Sequence, residues 1–251
     1  RLHEFAKTLG LSSLPKTIGG CATSVFLKHL RETGQDRDQL FGTHEVVQTG
    51  WNKNASRPVT KTIREMTPAA KLFESLAIDC YHGGRNECFW GGPTPLSLFN
   101  DFDLSGAYTT GLVDLFPLDY ERGRMTTNTA EFCGHVFGLA RVKLRFPDGT
   151  RYPSLPVRTE IGLLFPLTGE SFCTAPEIEV ALRMGCQIEI HQGFIIPWAD
   201  TTQRLFEPFV SQVREKRQSY AKKSFEELLW KEIGNSLYGK LAQGLRGKSA
   251  F

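Results

Sequence analysis

The chain has 251 residues, 40% hydrophobic and 23% charged, which is enough to bury a core in one large or two modest units and excludes a disordered tail. No apolar run reaches the roughly eighteen residues of a spanning helix, and no apolar segment follows a basic start, so the expectation is an intracellular protein with no membrane partner and no signal peptide. Net charge is +3 but unevenly divided: residues 203–251 hold ten Lys or Arg against five acids, net +5, and residues 1–202 are −2. A basic C-terminal fifth on a slightly acidic body points to a local surface for phosphates, or more blandly to a solvated helix face.

The first eighty residues read as helical and polar, with turn material at Thr33-Gly34 and from Gly50 to Ser56. Thr67 as N-cap and Pro68 at the first helical position predict a helix to about Ala77, with Leu72, Phe73 and Leu76 on one face. The fifteen residues 81–95 then pack four glycines and two prolines, a joining loop and a boundary. Leu96 to Asp103 is a short apolar run, predicted as a buried strand whose end carries carboxylates. Val142, Leu144 and Phe146 alternating with Arg141, Lys143 and Arg145 predict a half-buried strand, and Pro147-Asp148-Gly149 is expected to turn it into a second hairpin arm. Thr174 with Glu177 is a capping-box pattern opening a helix through Arg183 that Gly185 closes, and Ile188 and Ile190 mark a further strand.

The last element is the most legible. Ser224 with Glu227 forms another capping box, and the helix is expected to run to about Ala242 with Phe225, Leu229, Trp230, Ile233, Leu237 and Leu241 on its apolar face. Lys231, Asn235 and Tyr238 fall on the opposite side in one stripe. Gly234 and Gly239 each cost up to about 1 kcal/mol inside a helix, which suggests close approach by another group.

Lys231, Asn235, Ser236, Tyr238 and Gly239 together resemble the K-x-x-x-N-S-x-Y-G fingers motif of family B DNA polymerases, with all five fixed positions present. Asp103 to Thr109 resembles the palm motif D-x-x-S-L-Y-P of that family, departing from it at Gly106, Ala107 and Thr109. Tyr81, Gly83 and Gly84 resemble the Y-x-G-G segment joining exonuclease and polymerase modules, particularly in protein-primed members of phage, viral or linear-plasmid type.

The resemblance implies an α+β fold: a palm-type antiparallel sheet with helices and a helical fingers hairpin, preceded by a mostly helical N-terminal segment. It divides the chain into an exonuclease-side region (1–80), a linker (81–92), palm motif A (93–112), an insertion like that which meets a terminal protein (113–200), and fingers helices (201–251). The implied activity is template-directed deoxynucleotidyl transfer to a primer hydroxyl or protein hydroxyl. Implied partners are primer-template DNA, deoxynucleoside triphosphates and a terminal protein, in the host cytoplasm or nucleoid, or in mitochondria for an organellar plasmid.

Phosphoryl transfer needs an aligned nucleophile, divalent metal, and cations on the leaving phosphates. Asp103 is the expected catalytic ligand for Mg²⁺ or Mn²⁺, and Lys231 the catalytic cation, with Arg214 or Arg217 adding a forked grip. Tyr108 is expected to select the sugar, Asn235 and Tyr238 to line the nascent base pair, and Tyr81, Gly83, Gly84, Ser236 and Gly239 to meet DNA. The second palm motif, Y-x-D-T-D-S, occurs nowhere in the chain, and one aspartate cannot clamp two ions. The 251 residues alone are therefore expected not to polymerise. A non-catalytic DNA-binding scaffold is the rival reading, and an RNA polymerase or primase a third that Tyr108 disfavours. Six cysteines without a C-x-x-C pair argue against a zinc ribbon or disulfide framework, Cys80-x-His82 and Cys133-x-His135 lack a partnered pair, and no hydrolase triad is evident.

Overall fold

A computed structural model describes residues 6–52, 56–104 and 106–241. Thr17 caps the N-terminus of α1 (Ile18–Glu32), its hydroxyl accepting from Gly20 N–H, and Asp36 caps the short α2 (Arg37–Phe41). Next come two ten-residue strands, β1 (Thr43–Asn52) and β2 (Arg57–Met66), paired antiparallel from Thr43↔Met66 to Asn52↔Arg57. This hairpin is absent from the helical reading of the first eighty residues. Its side chains are mostly exposed on both faces, so no apolar alternation marks it. It is tied at its base, where Thr67 N–H donates to Gly42 C=O and Arg64 pairs with Asp38 at 2.9 Å.

Thr67 and Pro68 open α3 (Pro68–Cys80) as predicted, Thr67 Oγ1 accepting from Ala70 N–H. Its buried face is Ala70, Phe73, Leu76 and Cys80, whereas Leu72 is exposed. The 96–103 run is not a strand. It has no regular structure and pairs with no described strand, and Leu98 and Phe102 stand 86% and 89% exposed. A strand exists only where a neighbour takes its backbone hydrogen bonds and covers a face, and no described element does so here. A short helix, α4 (Ala107–Val113), follows.

The central sheet has the order β3-β8-β4-β7, all antiparallel, from β3 (Arg124–Met125), β4 (Phe137–Arg145), β7 (Thr168–Thr174) and β8 (Gln187–Ile196). On one face Ala140, Val142 and Leu144 of β4 pack under Ile178 and Ala181 of α5 (Ala175–Arg183). On the other, Leu139, Phe194 and Ile196 meet Phe73 and Leu76 of α3. The predicted strand and the Thr174–Glu177 capping box are both present. The second hairpin arm is not: the chain does turn at Pro147, Thr150 N–H donating to its carbonyl, but the following β5 (Val157–Thr159) pairs with β6 (Gly162–Leu164), and β4 is flanked by β7 and β8. Local turn chemistry fixes a reversal of direction but not which strand returns alongside.

The last two helices, α6 (Glu207–Gln218) and α7 (Phe225–Leu241), pack with α1 around a second core. Trp230, Ile233 and Leu237 from α7 meet Phe209 and Val213 from α6 and Phe26 from α1. Phe26 also stacks on Phe206, ring centroids 5.0 Å apart. Phe225, placed on the apolar face by spacing, is exposed at the helix start, and Ala242, the expected helix end, lies outside the described residues. The Ser224–Glu227 box is half made. Ser224 Oγ accepts from Glu227 N–H at 3.2 Å, but the Glu227 carboxylate turns to Arg217 Nε at 2.6 Å and Lys223 N–H at 3.3 Å, which cross-braces α6 to α7.

Candidate active site

An open cleft of about 1420 Å³ lies between the segment around Asp103, α4 and the α6–α7 pair. Asp103 and Tyr108 line it from one side, Arg214, Arg217 and Lys222 from α6 and the turn after it, and Lys231, Asn235, Tyr238 and Gly239 from α7. The Lys231, Asn235, Tyr238 stripe thus faces open space while the opposite face of the same helix is in the core. A carboxylate and an ammonium far apart in sequence share one cavity, as phosphate handling requires.

Tyr108 stacks on Tyr238, centroids 4.6 Å apart and planes 23° apart. Tyr81 approaches Tyr238 from another side at 6.2 Å. Burial, then the neighbouring Tyr81, push the Tyr238 phenol up to about 12, so its hydroxyl stays protonated at physiological pH. Gly84 belongs to the same cluster, since a Cβ there would lie 3.0 Å from Tyr108 Oη. One tyrosine from each of three motifs therefore joins one cluster: Tyr108 and Tyr238 in the cleft wall and Tyr81 beside Tyr238.

The palm departures have a local cause. Gly106 precedes α4 with φ +68, in the left-handed region that favours glycine, and a Cβ would also sit 2.9 Å from Thr109 Oγ1. Thr109 Oγ1 donates to Gly106 C=O at 2.9 Å, so two of the three departures form one compact turn. In α7 the expected close approach is real at Gly234, where a Cβ would meet Val213 Cγ1 at 3.1 Å. It is absent at Gly239, where nothing lies within 4 Å and the helix surface faces the cleft.

Not every expected residue converges. Ser236 is half-buried and does not line the cleft, and neither do Tyr81, Gly83 and Gly84, of which Tyr81 and Gly84 only touch the tyrosines that do. Arg217 lines the cleft, but its Nε is committed to Glu227, which leaves Arg214 the less encumbered guanidinium. The sequence reading missed Asp114 and Lys222, both cleft-lining. Lys222 carried a signal as part of the basic C-terminal excess, whereas Asp114 carried none. Asp114 is occupied by Arg204 at 2.7 Å.

The donor set does not make a two-ion site. Among the described residues no three His, Cys, Asp or Glu side chains gather as metal ligands, and Asp114 and Glu227 are each paired with an arginine. Of the carboxylates among the described cleft-lining residues, Asp103 is the one not paired with an arginine, and a single carboxylate is fewer than the chemistry demands.

No family model matches the chain. It is 50% identical over 256 residues to the primer-independent DNA polymerase PolB of Escherichia coli, an alignment that takes in 98% of this chain. In sequence the chain is similar to one part of that DNA polymerase. It spans 29% of PolB's length. In fold it is similar to phi29 DNA polymerase complexed with primer-template DNA, with a TM-score of 0.57 over 96% of this chain and 37% of that one at 14% identity. An orthorhombic crystal form of phi29 DNA polymerase gives 0.48 over 94% of this chain and 37% of that one. The polymerase resemblance read from three short motifs holds across nearly the whole chain.

Proposed function

We propose that the chain supplies the nucleotide-holding cleft of a template-directed DNA polymerase. The observation that carries this reading is the shared cavity: Asp103 on one wall, Lys231 with Arg214 on the other, and stacked tyrosines beside them. Lys231 holds the outgoing phosphates as a point charge, and Arg214 grips phosphate oxygens bidentately. Tyr108 lies against the sugar, Asn235 faces the base pair, and Tyr81, Gly83, Gly84 and Gly239 border the DNA path. Asp103 contributes one carboxylate toward Mg²⁺ or Mn²⁺, so the isolated chain binds nucleotide without extending a primer. In the same reading the insertion over residues 113–200 is the face for a terminal protein, and the protein works in the cytoplasm or nucleoid of its host.

The deciding measurement is deoxynucleoside triphosphate binding by calorimetry in the presence of Mg²⁺. Lys231→Ala is expected to weaken it about tenfold, the loss of one charge-assisted contact worth about 1.4 kcal/mol. A chain that binds DNA with a steep salt dependence and ignores Lys231→Ala would be the non-catalytic scaffold.

A further inference from the structure

The loop that carries Tyr81 is seated by groups remote from the cleft. Cys80, at the end of α3, directs its thiol to the backbone carbonyls of Ala140 on β4 and Cys173 on β7, at 3.7 and 3.3 Å. The carbonyl of Tyr81 accepts from Arg158 Nη2 on β5 at 3.0 Å. The next residue, His82, is fixed through both ring nitrogens: Nδ1 lies 2.8 Å from the Gly83 carbonyl and Nε2 lies 2.7 Å from Glu177 Oε1 on α5. The other Glu177 oxygen accepts from both N–H and Oγ1–H of Thr174 at 2.8 and 2.7 Å. One carboxylate therefore caps α5 and anchors the loop.

The proton count on His82 follows from its partners. A carbonyl and an ionised carboxylate only accept, so when both contacts are made as hydrogen bonds both ring nitrogens carry hydrogen and the ring is a cation. We propose that His82 is a positioning residue of the cleft: clamped as an imidazolium between Gly83 and Glu177, it holds the Tyr81–Gly84 loop so that Tyr81 packs on Tyr238 and Gly84 on Tyr108. This deepens the polymerase reading and rests on it for the consequence, since what the clamp regulates is the tyrosine wall against which the nucleotide lies.

The electrostatics agree with the geometry. The Glu177 hydrogen bond, working against burial, raises the His82 ring above its ordinary value. Burial works to raise the Glu177 carboxyl, but hydrogen bonds from His82 and Thr174 outweigh it and hold the group below the usual range. Glu177 from α5, Arg158 from β5, and Asp79 with Cys80 from α3 are the charged and titratable groups around the ring, and Cys173 on β7 lies beside Glu177. Of these Arg158 alone opposes the imidazolium. A raised histidine gives a clamp that is complete below about pH 6.5, the ordinary histidine value, and opens as pH rises through the higher folded value.

The test uses the chain with ¹⁵N-histidine and ring-labelled tyrosine, comparing wild type, His82→Gln and Glu177→Gln. His82 is expected to titrate above an ordinary histidine and to fall toward it in Glu177→Gln. The Tyr238 ring resonances should move with that titration, and should sit at their high-pH positions at every pH in His82→Gln. Deoxynucleotide affinity should then fall three- to tenfold from pH 6 to 8.5 in wild type and stay flat in His82→Gln. Tyrosine shifts with no nucleotide binding in any variant would retire the polymerase reading and uphold the clamp. Tyr238 resonances indifferent both to His82 titration and to His82→Gln, in a variant that melts at the wild-type temperature, would overturn it.

Discussion

Tyr108 and Tyr238 stack at 4.6 Å although they enter the cleft from different helices, one before the central sheet and one after it. A stacked pair fixes both rings more firmly than either helix does alone, since aromatic pairs add about 0.5–1.5 kcal/mol to their burial. Tyr108 is half exposed, so its outer surface is free for a ligand.

If that surface reads the sugar, Tyr108→Val should narrow the preference for deoxynucleotide over ribonucleotide about tenfold, with deoxynucleotide affinity changing far less. Competition binding with paired deoxy- and ribonucleoside triphosphates checks this. An unchanged ratio would return the RNA polymerase or primase reading to consideration.

Gly234 and Gly239 separate packing from binding on one helix. Alanine at Gly239 meets nothing within 4 Å, so Gly239→Ala should stabilise α7 by up to about 1 kcal/mol while narrowing the cleft. Melting temperature should rise and DNA or nucleotide affinity fall. At Gly234 the added methyl presses on Val213, and Gly234→Ala should lower the melting temperature, the repacking of α6 against α7 costing about 1–3 kcal/mol against a helix-propensity gain of about 1 kcal/mol. A stabilising Gly234→Ala, or a Gly239→Ala that leaves affinity untouched, would contradict this division.

The parts of the site legible in sequence were those made by one helix. Lys231, Asn235 and Tyr238 needed only helical periodicity to share a stripe, and the tight packing at Gly234 showed as an ill-suited residue in an otherwise good helix. What was illegible depends on partners far along the chain. Leu96 to Asp103 carries strand-like residues, but a strand is made by its neighbours, and no described neighbour pairs with it. The β1–β2 hairpin was missed for the opposite reason, since pairing is complete while neither face is buried well enough to write a pattern. Glu177 looked like a capping residue and is one, yet its second oxygen-borne contact, to His82, has no local signature.

The six cysteines divide by burial into four inside and two outside. Burial pushes the Cys80 thiol up to about 12 and raises Cys173 well above its ordinary value. A thiol-specific reagent at neutral pH should label Cys88 and Cys133 at once and the other four only on denaturation. A raised folded value means that the Cys80 contribution to stability is complete below about pH 8.5 and is lost as pH climbs toward 12, so alkaline melting should begin in this range. Rapid native labelling of Cys80 would show that the α3–sheet contact opens readily.

The Arg217–Glu227 brace between α6 and α7 lies in the cleft wall. Its hydrogen bond to Arg217 holds the Glu227 carboxyl below the usual range, so its contribution is fully present above about pH 4.3 and fades as pH falls through the lower folded value. Glu227→Gln should lower the melting temperature at neutral pH, and the gap to wild type should close in acid. Because Arg217 and Lys231 both line the cleft, freeing Arg217 also adds an unpaired cation to it. Triphosphate affinity in Glu227→Gln should therefore be kept or raised even as stability falls, a combination that melting and calorimetry on the same sample would establish. A parallel loss of both would mean that the geometry of the helix pair, rather than its charge, governs phosphate binding.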